Sequence, residues 1–244
     1  MQIKFTKIHA SGNDFIFTQL PENQLNQKII KNLSHRNFGI GCDQFINIYN
    51  LDDKNKIINV ETFNQDGSIA KMCINAMRAI TNFINPETKF TVSVKHGKSV
   101  DIEKNNNNIA SVEIFGIFQE NELINVGNLH KIFIINNESE IDRNTSDLYN
   151  KNYVQIIAQD RLKITTIERG SGETLACGSG ICASVFYCNR NKLTTSNTIQ
   201  IETKGTKLMN DEFSIQDEIT VQIKENILVL NGSYKLIFKG IIDI

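Results

Sequence analysis

Apolar and polar positions alternate from the start of the chain: Ile3, Phe5 and Ile8 fall on one face of a predicted strand. The polar turn Ala10-Ser11-Gly12-Asn13-Asp14 follows, then a second strand through 15–17. Residues 24–36 predict a short surface helix ending near Gly39. Residues 45–49 and 57–63 predict a hairpin across a polar turn at 51–55. The period then changes. Ile74, Met77, Ala79 and Ile80 predict a helix over 72–83, which Pro86 closes. Strands are predicted again at 90–94, 99–103 and 109–114.

The same order then restarts. Val126-Gly127-Asn128-Leu129-His130, followed by Phe133 to 135, echoes Ser11-Gly12-Asn13-Asp14 and its strand. A helix over 178–189 echoes the first one, and strands return at 198–203, 219–223, 226–230 and 234–238. The asparagine run at 105–108 reads as a turn, and 136–151 as a loop or surface helix. The fold class that follows is α+β: two pseudo-symmetric halves, 1–116 and 117–232, each a mostly antiparallel sheet wrapped around a central helix.

Composition narrows the function. The 244 residues carry 26 basic and 27 acidic side chains, a net charge of -1, so no electrostatic footprint for nucleic acid exists. No stretch approaches the roughly 18 apolar residues of a membrane helix, and no leader pattern opens the chain. A cytoplasmic protein acting on a small molecule, with neither nucleic acid nor membrane as partner, is the expectation. Cys42, Cys182 and Cys188 read as buried small hydrophobes. The four histidines lack metal-ligand spacing, so no metal site is expected.

The other two cysteines stand in matching frames. Cys73 follows Asn64-Gln65-Asp66-Gly67-Ser68, and Cys177 follows Glu168-Arg169-Gly170-Ser171-Gly172-Glu173-Thr174-Leu175-Ala176. Each thiol comes after a polar turn and just ahead of a predicted helix. The first turn of a helix leaves backbone N–H groups unpaired, which favours thiolate and can hold a carboxylate as negative charge develops on it. Two such thiols could take a proton from one face of a carbon and return one to the other, which is racemase or epimerase chemistry without a cofactor. A cysteine near a helix start is also commonly structural, and a disulfide between the two is the competing reading.

The chain resembles the diaminopimelate epimerase family over nearly its whole length. The resemblance is carried by Ser11-Gly12-Asn13-Asp14-Phe15, Gly41-Cys42-Asp43-Gln44, Phe63-Asn64-Gln65-Asp66-Gly67-Ser68, Gly127-Asn128-Leu129-His130, and the long motif ending Cys177-Gly178-Ser179-Gly180. It implies interconversion of L,L- and meso-diaminopimelate, in lysine and peptidoglycan precursor biosynthesis, with no cofactor and a homodimer. Cys73 and Cys177 would be the two bases. The amides of Ile74, Asn75, Gly178 and Ser179 would hold the reacting carboxylate. Asn64, Asn152, Glu168 and Arg169 would grip the distal amino-acid group, and Asn13, Gln44 and Asn128 would line the site. His130 and Glu168 would orient the substrate amine and tune the thiols. The C-terminal strand, 233–244, would return to the first half.

Four positions in three places depart from the family pattern. Cys73-Ile74-Asn75-Ala76 replaces Cys-Gly-Asn-Gly, Leu129 replaces a proline, and Phe238 replaces a tyrosine linked to dimer contacts. Ile74 would be harmless at negative φ and would strain or narrow the pocket at positive φ. A racemase for another amino acid and a non-catalytic binding protein are the alternatives. Asn64, Glu168 and Arg169 argue against the first, and retention of both cysteines against the second.

Overall fold

The computed structural model describes every residue except Met1, Asn23, Asn106, Asn108, Gly170 and 214–216. Gly170 of the long motif and part of the asparagine run therefore lie outside the described residues.

The first unit comprises Met1–Ala110 and Tyr234–Ile244. Its sheet starts with β1 (Gln2–Ala10), which buries Ile3, Phe5 and Ile8, and turns back into β2 (Asn13–Thr18). The chain then crosses over through α1 (Gln27–Ser34) to β3 (Gln44–Asp52). β3 makes an antiparallel hairpin with β4 (Ile57–Asn64), and α2 (Ile74–Ile80) carries the chain to β5 (Lys89–Val94) and β6 (Val100–Lys104). Every residue of α2 is buried, which makes it the unit's central helix. The Asn26 side chain caps α1 by accepting from the Ile29 N–H, and Ile30 and Leu33 pack it against Ile3, Phe5, Ile16, Cys42 and Phe45.

The second unit, Ser111–Ser233, repeats that order. After β7 (Ala110–Ile114) and β8 (Phe118–Glu120), β9 (Leu123–Asn125) pairs antiparallel with β10 (Leu129–Ile134). β10 lies parallel to β11 (Asn150–Ala158), which makes an antiparallel hairpin with β12 (Arg161–Glu168). The short β13 (Gly172–Thr174) folds back on β12. Then α3 (Gly178–Arg190) crosses over to β14 (Thr198–Glu202), parallel to β12. α4 (Lys204–Asp211), β15 (Ile219–Lys224) and β16 (Ile227–Gly232) complete the unit. β17 (Lys235–Asp243) pairs antiparallel with β1 in the first unit's sheet.

Both sheets are more mixed than expected. In the first, β2 and β3 are parallel, as are β4 and β5. In the second, β10 and β11 are parallel, as are β12 and β14. For three of these pairs the reason is an α-helix, and for β10 and β11 it is the long crossover segment 135–149. α1, α2 and α3 each lie between two neighbouring strands and return the chain to the end it left, which is a crossover and requires parallel pairing. The boundary also falls earlier than residue 116, because β7 pairs with β16 and so belongs to the second unit.

Sequence reading passed over β11, β12 and α4. β12 alternates as a strand should, with Leu162, Ile164 and Thr166 buried. β11 hides its identity behind a buried polar start, Asn150-Lys151-Asn152. α4 carries a reciprocal capping box between Thr203 and Thr206.

Candidate active site

Cys73 and Cys177 each occupy the N-cap of their unit's main helix, with nearly the same backbone. Cys73 has φ -132° and ψ 114°, and Cys177 has φ -122° and ψ 106°. Both sulfurs thus stand beside the first N–H groups of a helix, where Ile74, Asn75, Gly178 and Ser179 supply the amides. Ile74 is absent from the positive-φ positions, and its side chain is 2% exposed in the core. The residue therefore offers the site its amide, not its side chain. Leu129 projects outward at 41% exposure while His130 on the same strand points inward, as strand alternation dictates.

Around Cys73 the polar groups form a fixed net. The β1–β2 turn has Ser11 at φ 52° and Gly12 at φ 87°, the primed signature of a two-residue hairpin, and it launches Asn13 at the start of β2. Asn13 Nδ2 donates to Asp43 Oδ2 at 2.8 Å, so its Oδ1 turns the other way. That oxygen lies 3.6 Å from Cys73 Sγ and 3.4 Å from Asn75 Nδ2. Asn75 is held in turn by the fully buried Arg78, whose Nη2 donates to Asn75 Oδ1 at 3.0 Å and to Ser11 Oγ at 3.1 Å. The thiol therefore faces an oxygen that can only accept.

Behind Asn13, Asp14 accepts a two-pronged grip from Arg36 and an ammonium bond from Lys7, which also reaches the Gly41 carbonyl. Burial pushes Asp14 up, but the hydrogen bonds from Arg36 and Lys7 outweigh it and hold the carboxyl at about 2. Asp43, which also receives Arg36, is raised by desolvation and by the Asp14 charge. Gln44 and Asn64 sit opposite each other on β3 and β4. Gln44 Oε1 is buried without a hydrogen-bond partner among the described residues, and Asn64 Nδ2 donates to Ser68 Oγ.

Around Cys177 the net is buried and different in kind. Cys177 Sγ lies 3.5 Å from Ser179 Oγ, and Ser179 Oγ lies 3.0 Å from His130 Nε2. On the far side of the ring, His130 Nδ1 lies 3.0 Å from Asn152 Nδ2, and Asn152 Oδ1 accepts from Thr166 Oγ1 at 2.9 Å. Burial pushes His130 down to about 4, so the ring is neutral at ordinary pH. Gly180 makes this approach possible: a Cβ there would come within 2.2 Å of Asn152 Oδ1.

Asn152 was expected to grip substrate. It is 0% exposed, with its oxygen and its nitrogen both engaged by protein, so substrate does not reach it. Asn150, two residues earlier on the same face of β11, accepts from the Arg169 N–H at 2.9 Å and lies next to the expected distal-group residues. Apolar alternation does not mark it, because residues 150–154 are all buried. Arg169 and Asn128 are exposed, and Glu168 ends β12 with its carbonyl accepting from Ser171 N–H. The remaining cysteines are inert by environment: burial raises Cys42 to about 11 and Cys188 to about 12, and Cys182 is buried. Among the described residues no cluster has the make-up of a metal site, and no helix is long and apolar enough to cross a membrane.

Comparison with known proteins bears on this arrangement. The family model described as diaminopimelate epimerase matches residues 5–114. The chain is 30% identical to the diaminopimelate epimerase of Zymomonas mobilis, over 100% of this chain and 98% of that protein. It is 32% identical to the diaminopimelate epimerase of Campylobacter jejuni, over 98% of each. A solved phenazine biosynthesis protein of the PhzF family from Enterococcus faecalis shares the fold at 14% identity, with a TM-score of 0.68 over 100% of both chains.

Proposed function

The chain belongs to the diaminopimelate epimerase family, and we propose that it interconverts L,L- and meso-diaminopimelate by a two-base thiol mechanism. At the coarser level it is an isomerase of the cysteine-based, cofactor-independent superfamily. The observation that carries the finer reading is the pair of cysteines at equivalent helix N-caps, each with a sulfur at the first turn of its helix and a polar partner.

In one direction the Cys73 thiolate removes the α-proton. The C–H electron pair passes into the carboxylate, whose developing charge the helix amides accept. The Cys177 thiol then delivers its proton to the opposite face and becomes the thiolate. One C–H bond breaks and one forms, so no oxidant or reductant is needed. The reverse direction exchanges the roles. Distal recognition falls to Asn64, Asn150, Glu168 and Arg169, because a substrate with a second amino-acid group needs both a carboxylate grip and an ammonium partner.

A homodimer fits β17, which exposes Leu236, Ile237, Phe238 and Ile241 together. Phe238 sits edge-on against Phe5, with ring centroids 5.7 Å apart, so the strand is braced from behind. Sedimentation should show a dimer that Phe238→Asp weakens.

The deciding experiment is solvent deuterium incorporation with L,L-diaminopimelate under reducing conditions, without added cofactor. Deuterium at one α-carbon together with meso product is expected. No exchange by folded protein would overturn the substrate assignment and send the search to other amino acids.

A further inference from the structure

We propose that Asn152, His130 and Ser179 form a one-way hydrogen-bond relay that makes Ser179 a donor to Cys177 and so favours Cys177 as the resting thiolate. The inference rests on the reading of Cys177 as one of the two bases, and goes beyond it by assigning which sulfur carries the charge before substrate arrives.

The direction of the relay follows from what each group can do. The Lys131 carbonyl, which only accepts, lies 3.5 Å from Asn152 Nδ2, and the Thr166 hydroxyl donates to Asn152 Oδ1. Those partners set the amide with its nitrogen toward the ring. Asn152 Nδ2 can only donate, so His130 Nδ1 must accept, and a neutral ring then carries its proton on Nε2. Nε2–H donates to Ser179 Oγ. With that lone pair taken, the serine hydroxyl proton is free to point along the 3.5 Å contact to Cys177 Sγ. A hydrogen bond donated to sulfur favours its charged form.

The charged groups on the elements packed against α3 have partners of their own. α3 packs on β9, β10, β11, β12 and β16. Of their titratable groups, Lys131 is paired with Glu122, Lys151 with Asp142 and Asp147, and Lys163 with Glu138 and Glu202, while Tyr153 donates to the Asp142 carbonyl and Arg161 to Gln200 Oε1. Glu168 stands at the end of β12 and is half-buried. His130 is the titratable group within it, and Asn152 and His130 act as positioning residues through Ser179.

Cys73 has the opposite partner, since Asn13 Oδ1 can only accept and so favours S–H. The resting enzyme thus holds the proton on Cys73 and the negative charge on Cys177.

Two measurements test the relay without substrate. Long-range proton–nitrogen correlation on ¹⁵N-histidine protein should show His130 as the Nε2–H tautomer. Iodoacetamide labelling, read peptide by peptide by mass spectrometry, should show Cys177 reacting faster than Cys73 near neutral pH. Ser179→Ala should slow Cys177 about tenfold, the effect of about one unit in thiol pKa, and leave Cys73 unchanged. Ser179→Thr keeps the hydroxyl and should restore the rate. An Nδ1–H tautomer in the unaltered protein, or a Ser179→Ala protein whose Cys177 labels as fast as before, overturns the relay. Because both readouts need no turnover, a protein that shows this pattern but leaves diaminopimelate unchanged keeps the relay and loses the substrate assignment.

Discussion

Cys73 and Cys177 occupy the same backbone position in two units of the same strand order, yet their polar neighbours are opposite in kind. The first sulfur faces an amide oxygen, fixed by Asp43 on one side and bonded by Asn75 on the other. The second faces a serine hydroxyl at the end of a buried imidazole–amide chain. The first net is partly open and tied to ions at its outer edge, while the second is closed and neutral. The lesson is a division of labour. Repeated backbone places the thiols equivalently, and unrepeated side chains decide which one holds the proton. A two-base enzyme must start with one base charged and the other not, so an asymmetry of this type is useful in itself.

The strongest way to break the comparison is to remove either sulfur. Cys73→Ala and Cys177→Ala should each lower net epimerisation by roughly 10³-fold or more, measured as meso product by chiral chromatography. Full turnover in either would end the two-base reading.

The next effect is on stability and belongs to the second unit. His130 is held neutral, with a folded value of about 4 against an ordinary 6.5. A depressed folded value means the unfolded chain takes up the proton first. The contribution is complete above pH 6.5 and is lost as pH falls toward 4. Urea denaturation should show a loss of up to about 3 kcal/mol across that window. His130→Gln should flatten the profile there.

The first unit has its own, more acidic window. Asp14 is held at about 2 against 3.8, so its contribution is complete above pH 3.8 and fades as pH falls toward 2. Asp14→Asn should cost about 2 kcal/mol at neutral pH, read from the denaturation midpoint, with the buried Lys7 left without its carboxylate.

The smallest effect sharpens the contrast most directly. Asn13→Ala removes the acceptor at Cys73 and should speed its alkylation several-fold, roughly the worth of one hydrogen bond. Ser179→Ala moves Cys177 the other way. If both variants shift their cysteines in the same direction, the opposite-partner account fails.

Much of the fold was legible in local pattern. The β3–β4 hairpin, the helix after Cys73 and the helix after Cys177 all fall close to where periodicity put them. β11 was not, because Asn150, Lys151 and Asn152 are buried polar residues whose satisfaction comes from Arg169, Asp142 and His130. A strand that buries amides does not show apolar alternation.

The sequence by itself determined the two cysteine frames, the repeated order of strands and helices, and the family, because short-range spacing and turn chemistry are written in neighbouring residues. Tertiary structure decided that β-strands flanking each crossover run parallel, that Ile74 turns into the core, and that Asn152 is sealed inside the second unit's polar net. It also decided which polar groups meet beside each sulfur. The reason is physical. A donor or acceptor role is settled by the partner on the other side of the contact, and residues 130, 152, 166 and 179 become partners only when β10, β11, β12 and α3 pack together.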